Sequence, residues 1–135
     1  MASTVLTVLI VDDEPLVGQL VASLVERVGF RAVVVQSAEA ALQVAENDEI
    51  GMVITDMQMP DLDGVSLCRA LAEKHPQLPV IAMSGSGPLA QNEDLRRALK
   101  AGARSIVSKP FKLDEFYQAM TIALGEGKIV GQTGR

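Results

Sequence analysis

The chain has 135 residues, a length that suits a single domain. Apolar residues make up 48% and aromatics only 3%, with no Trp, so the chain can bury a core of Val, Leu, Ile, Ala and Met and does not read as disordered. With 17 acids against 12 bases the net charge is -5, which argues against a nucleic-acid surface and against binding to anionic membranes.

The first element is the run Val5–Val11, apolar apart from Thr7. It is far shorter than the roughly 18 residues that suggest a membrane span. It lacks a basic lead-in and runs straight into Asp12-Asp13-Glu14, so it reads as a buried strand and not as a signal peptide. The lone cysteine, Cys68, cannot form an internal disulfide. With no targeting segment either, the expected location is the cytoplasm.

Pro15 fits the first turn of a helix. Leu16, Val17, Leu20, Val21, Leu24, Val25 and Val28 follow at helical spacing as one apolar stripe, and Gly29 is a natural stop. Arg31–Gln36 reads as a second strand. Ser37 is placed to cap a second helix with Ala38, Ala41, Leu42 and Ala45 inward. Met52–Asp56 reads as a third strand. A third helix is expected over about 65–74, with Leu67, Cys68 and Leu71 inward and Pro76 beyond it; His75 at its end reads as solvated. Val80–Ser84 is a fourth strand, followed by a glycine-rich, mobile loop over Gly85–Asn92. Ser84-Gly-Ser-Gly87 is not a phosphate loop, because it lacks the Gly-Lys-Ser/Thr ending. A fourth helix is expected over about 93–101, ending at Gly102. A fifth strand covers Ser105–Ser108, and a fifth helix runs over about 113–124 with Phe116, Met120 and Ala123 or Leu124 inward. Residues 125–135 hold four glycines and read as a loose tail, which leaves residues 1–124 as the domain.

Strand and helix alternate five times, which implies right-handed βαβ crossovers and a three-layer α/β sandwich, (αβ)5, around a parallel sheet. The first, third and fourth strands are apolar without alternation, as strands covered on both faces are.

The polar residues fall at strand ends. Asp12-Asp13 ends the first strand, Asp56 the third, Ser84 the fourth and Lys109 the fifth. Ligands of open parallel sheets bind outside the carboxyl ends of the strands. Three carboxylates at one edge repel, and a cation relieves them. The ammonium of Lys109 is one such cation. A hard metal is the second, and an all-oxygen donor set without His or Cys points to Mg2+. A carboxylate beside Mg2+, an ammonium and a hydroxyl is suited to phosphoryl transfer, with Asp56 as the oxygen nucleophile.

Four segments carry a resemblance: Val8-Leu-Ile-Val-Asp-Asp-Glu14, Val53-Ile-Thr-Asp-Met-Gln-Met-Pro-Asp-Leu-Asp-Gly64, Met83-Ser-Gly85 and Val107-Ser-Lys-Pro-Phe111. Together and in this order the chain resembles the receiver domains of two-component response regulators, over about residues 6–124. The resemblance implies a flavodoxin-like sheet of order 2-1-3-4-5. It implies that Asp56 accepts a phosphoryl group, that Asp13 ligates Mg2+ directly, and that Asp12 acts mainly through water. It further implies that the Gln58 carbonyl completes the ligands, that Ser84 is the switch hydroxyl and that Lys109 is the ion-pair partner of the phosphoryl group. The Lys109-Pro110 bond is usually cis in such domains. Met57 and Met59 are expected to pack beside the acceptor.

The implied function is a phosphorylation-activated signalling switch, not an enzyme beyond its own Mg2+-dependent self-phosphorylation and self-dephosphorylation. Its donor is a histidine kinase or phosphotransfer protein, and its signal passes to a downstream effector. The implied assembly is a monomer or a weak dimer through the face formed by the fourth helix, fifth strand and fifth helix. One departure stands out: the family's usual aromatic on the fifth strand, three residues before the lysine, is Ile106 here. Two other classes remain open. A phosphorylation-independent adaptor would share the fold. A metal-dependent phosphohydrolase using an aspartyl phosphate would usually carry Asp-x-Asp at the end of the first strand, where this chain has adjacent aspartates.

Overall fold

Five parallel strands form one sheet in the order second, first, third, fourth, fifth, as the resemblance implied. They are β1 (Thr7–Val11), β2 (Arg31–Val35), β3 (Ile50–Asp56), β4 (Val80–Ser84) and β5 (Ser105–Ser108). The helices between and after them are α1 (Pro15–Arg27), α2 (Ala38–Val44), α3 (Gly64–Lys74), α4 (Pro88–Ala101) and α5 (Leu113–Leu124). The structure is a computed structural model that describes residues 6–58, 64–84 and 88–125, without the side chains of residues 88–92, 94 and 95. Met59, the glycines of the loop after Ser84 and residues 126–135 of the expected tail lie outside the described residues.

Position in the sheet explains the strand patterns. β1 and β4 are buried at every residue, and β3 at all but Gly51, because helices cover both faces of the inner strands. The edge strands are less covered: β2 has no buried residue, and β5 alternates between buried and half-buried. β3 begins two residues earlier than the apolar run suggested. The reason is an irregular register against β1, where Ile50 pairs with Thr7 and Met52 with Val8.

The sheet separates two apolar layers. One face packs Leu9, Val53, Val80 and Ala82 against Ala38, Ala41, Leu67, Cys68, Leu71 and Ala98 from α2, α3 and α4. The other packs Val8, Ile10, Ile54, Ile81 and Met83 against Val21, Val25, Phe116 and Met120 from α1 and α5. Buried hydroxyls are satisfied between elements. Ser105 Oγ donates to the Ala119 carbonyl at 2.7 Å, and Tyr117 Oη donates to the Leu24 carbonyl at 2.8 Å.

Helix ends follow the local chemistry. Ser37 Oγ accepts the Ala40 N–H at 3.1 Å as the N-cap of α2. Gly29 and Gly102 hold φ of 97° and 117° after α1 and α4, conformations that a side chain disfavours. Three expectations need correction. α4 begins at Pro88, not near Glu93, so residues 88–92 are its opening turns and not loop; proline is tolerated in a first turn. The stripe on α1 is wider than its buried face, since Leu16 is 80% exposed and Leu20 52%. His75 is not freely solvated, because its Nε2 is buried 3.6 Å from a Glu46 carboxylate oxygen.

α3 starts hard against the end of β3. The Gly64 N–H donates to the Met57 carbonyl at 2.9 Å. A Cβ on Gly64 would collide with the backbone of Met57 and lie 2.6 Å from the Asp56 carbonyl oxygen. Glycine at this position therefore lets the chain leave β3 and return beside Asp56.

Candidate phosphoryl-transfer site

The carboxyl ends of β1, β3 and β5 bring Asp12, Asp13, Asp56 and Lys109 together, as their strand-end positions predicted. Lys109 Nζ lies 3.3 Å from Asp12 Oδ2 and 3.2 Å from Asp56 Oδ2. Asp12, Asp13 and Asp56 each place one carboxylate oxygen within 4.8 Å of the others. Asp12 is fully buried and Asp56 nearly so, while Asp13 is half-buried.

Backbone donors fix two of these carboxylates. Asp12 Oδ1 accepts the Glu14 N–H at 2.9 Å, and Asp56 Oδ1 accepts the Gln58 N–H at 3.1 Å. Both oxygens of Asp12 thus have protein partners. Among the described residues no backbone donor restrains Asp13, which lines the open cavity.

Burial pushes the Asp56 carboxyl above its ordinary value, and Asp12 adds to the rise. The Gln58 N–H and Lys109 pull the other way without cancelling it. For Lys109, burial opposes the charge, but Asp56 and Asp12 outweigh burial and hold the ammonium above its ordinary value. One ammonium therefore does not fully compensate the carboxylates around it. A further cation would, and the donors present are all oxygen, which fits Mg2+ in preference to a metal that seeks nitrogen or sulfur.

A cavity of about 610 Å3 opens over these groups, lined by Asp13, Glu14, Gln58, Asp56 and Lys109 on its polar side. Val17, Leu20 and Phe111 line its apolar side. Leu20, a member of the apolar stripe on α1, sits at this mouth. Glu14 had drawn no role from the sequence, and only its place after Asp13 marked it. The Lys109-Pro110 bond is cis.

Ser84 is fully buried at the end of β4. Its hydroxyl points toward β5, 3.4 Å from Ser108 Oγ, and the Lys109 N–H donates to its carbonyl at 3.1 Å. Ser108 was read only as the end of a strand. Ile106, two residues earlier on the same face of β5, is half-buried and packs on the α2–α4 layer. Met57 is buried in that same layer. Among the described residues no helix is long and apolar enough to cross a membrane.

The chain is similar to known proteins in sequence and in fold. The family model of the response regulator receiver domain matches residues 8–121. The transcriptional regulatory protein FixJ of Rhizobium meliloti is 39% identical over 106 residues, which cover 78% of this chain and 50% of FixJ. The response regulator protein TmoT of Ectopseudomonas mendocina is 36% identical over 115 residues, 85% of this chain and 51% of TmoT. The chain thus spans about half the length of these relatives. A response regulator receiver domain protein from Clostridium thermocellum superposes with a TM-score of 0.79 at 30% identity, covering 89% of this chain and 94% of that one. With the fold, the strand order and the sequence match in agreement, the chain belongs to the receiver domain family of two-component response regulators.

Proposed function

We propose that this receiver domain, residues 1–124 with a C-terminal tail, is a phosphorylation-controlled switch whose acceptor is Asp56. The observation that carries the reading is the seating of Lys109 between Asp56 and Asp12, with Asp13 converging beside them. Asp13 and Asp56 would hold Mg2+ directly with the Gln58 carbonyl, since all three residues line the cavity, and the fully buried Asp12 behind them would act mainly through water. Bound there, the metal supplies positive charge against the phosphoryl oxygens.

The transfer itself is a displacement at phosphorus. An Asp56 carboxylate oxygen forms the new P–O bond, and the bond from phosphorus to the donor's nitrogen or acyl oxygen breaks. Lys109 neutralises charge on the phosphoryl oxygens. The donor is a histidine kinase or phosphotransfer protein, with small acyl phosphates as substitutes. Ser84 then turns its hydroxyl to the phosphoryl group, and the change passes through α4, β5 and α5 to an effector. Self-phosphorylation and self-dephosphorylation are the only chemistry. A phosphorylation-independent adaptor has no use for a half-buried lysine seated between two buried aspartates. A phosphohydrolase would carry its acceptor on β1, not at the end of β3.

Metal dependence tests the reading. Chelating Mg2+ should stop labelling by acetyl phosphate while the domain stays folded by circular dichroism. Asp13→Ala should weaken Mg2+ binding by at least about tenfold, since even partners of a metal ligand are worth that much. The metal-free variant should melt no lower than the parent, because a carboxylate has left a repelling cluster. Equal Mg2+ affinities in the two proteins would remove Asp13 from the ligand set.

A further inference from the structure

We propose that Ser108 is a positioning residue for the switch: it holds the Ser84 hydroxyl in its resting direction, away from the phosphoryl site. The inference rests on the proposed roles of Asp56 and Ser84. Ser84 and Ser108 are direct neighbours in the β4–β5 register. They stand on the face of the sheet that packs against α3 and α4, as Ala82 does on β4 and Ile106 on β5.

A hydroxyl has one proton to donate. In this structure Ser84 Oγ lies 3.4 Å from Ser108 Oγ, close enough for Ser84 to donate its proton there. Donation to a phosphoryl oxygen at Asp56 requires that it leave Ser108. The two partnerships are therefore alternatives, and Ser108 biases the choice toward rest. The 3.4 Å separation is long for an O–H···O bond, whose usual length is about 2.7–2.8 Å, so the restraint is weak and a charge-assisted bond to a phosphoryl oxygen overcomes it.

Ser108 also lies on the surface of the molecule's signalling side. It is half-buried and lines a shallow groove of about 290 Å3 with Ile106, Glu115 and Ile122. An aromatic that swings on β5 couples hydroxyl movement to this side by its bulk. Ile106 is branched at Cβ, has restricted χ1 freedom and packs on the adjacent layer. Ser108 supplies a different link. When Ser84 turns away, Ser108 loses its donor and its own hydroxyl is released toward the groove.

The test measures beryllofluoride affinity in Mg2+ for the parent, Ser108→Ala, Ser108→Thr, Ser84→Ala and the Ser84→Ala/Ser108→Ala double variant, with amide NMR to confirm the native fold. Ser108→Ala should bind roughly two- to fivefold more tightly than the parent, the equivalent of losing one weak neutral hydrogen bond from the resting state. Ser108→Thr keeps the hydroxyl and should match the parent. In the Ser84→Ala background, Ser108→Ala should have no effect. Unchanged or weaker binding by Ser108→Ala overturns the proposal, and so does the same gain with and without the Ser84 hydroxyl. Failure of the parent to bind beryllofluoride overturns the phosphoacceptor reading, and this proposal with it.

Discussion

Asp56→Asn is expected to abolish the phosphoryl adduct that acetyl phosphate forms with the protein in Mg2+. Asparagine has the same shape, and its oxygen can still accept the Gln58 N–H that Asp56 Oδ1 accepts at 3.1 Å. What it lacks is a nucleophilic carboxylate. Fold damage does not explain such a loss, because the substitution removes a charge that burial disfavours. The folded-state pKa of Asp56 is raised above the ordinary 3.8, mainly by desolvation, so near neutral pH the ionised group opposes folding to that extent. The neutral variant should therefore unfold at the same or a higher urea concentration than the metal-free parent. Intact-mass spectrometry after incubation with acetyl phosphate reads the outcome directly. A full single-phosphoryl adduct on the asparagine variant would move the acceptor elsewhere.

The parts of the fold that could be read in the sequence are those governed by local chemistry or by full burial. Ser37 capped its helix as expected because a side-chain oxygen and the N–H three residues on need nothing from the rest of the fold. Unbroken apolar runs marked β1, β3 and β4 because only strands covered on both faces tolerate them. The site was legible for a related reason. A polar residue directly after an apolar run lies at a strand end, and parallel strands point their carboxyl ends the same way. Asp12, Asp13, Asp56 and Lys109 each stand at such a strand end and so share one edge of the sheet.

Features set by tertiary contact did not show. Leu16 and Leu20 fit the helical stripe of α1 as well as Val21 and Val25 do. Which of them meet the sheet depends on where the helix axis lies, and periodicity does not give that. The early start of β3 follows from its register with β1, and the early start of α4 from a helix running through residues that composition reads as loop. Ser108 was hidden because its relevance lies across the ladder, in Ser84, 24 residues away in sequence. A serine beside the strand-end lysine was the one available signal, and alone it reads as an ordinary strand residue.

Lys109→Ala should destabilise the metal-free domain near neutral pH by about 2–3 kcal/mol. Removing one partner from a buried ion pair costs roughly 3–5 kcal/mol, and the figure is lowered here because the Lys109 side chain is 23% exposed at an open cavity. Asp12 and Asp56 would be left close together without their ammonium. The pH dependence has a definite sign. Lys109 has a raised folded-state pKa, so its contribution in the parent is present below the unfolded value of 10.5 and fades as pH rises through the raised value. Without Lys109, Asp56 loses an attraction that lowers its pKa, and its carboxyl rises further above 3.8. Between those limits the folded variant holds more protons than the unfolded chain, so the variant gains stability as pH falls toward 3.8 and its deficit against the parent shrinks. Mg2+ should restore part of the deficit near neutral pH, because it brings positive charge to the same carboxylates. Urea titrations of both proteins near neutral and at acidic pH, with and without Mg2+, measure all three effects. Equal midpoints without metal would show that Lys109 does not hold the carboxylates together. A deficit that ignores both acid and Mg2+ would place its cause in lost packing of the lysine stem and not in charge.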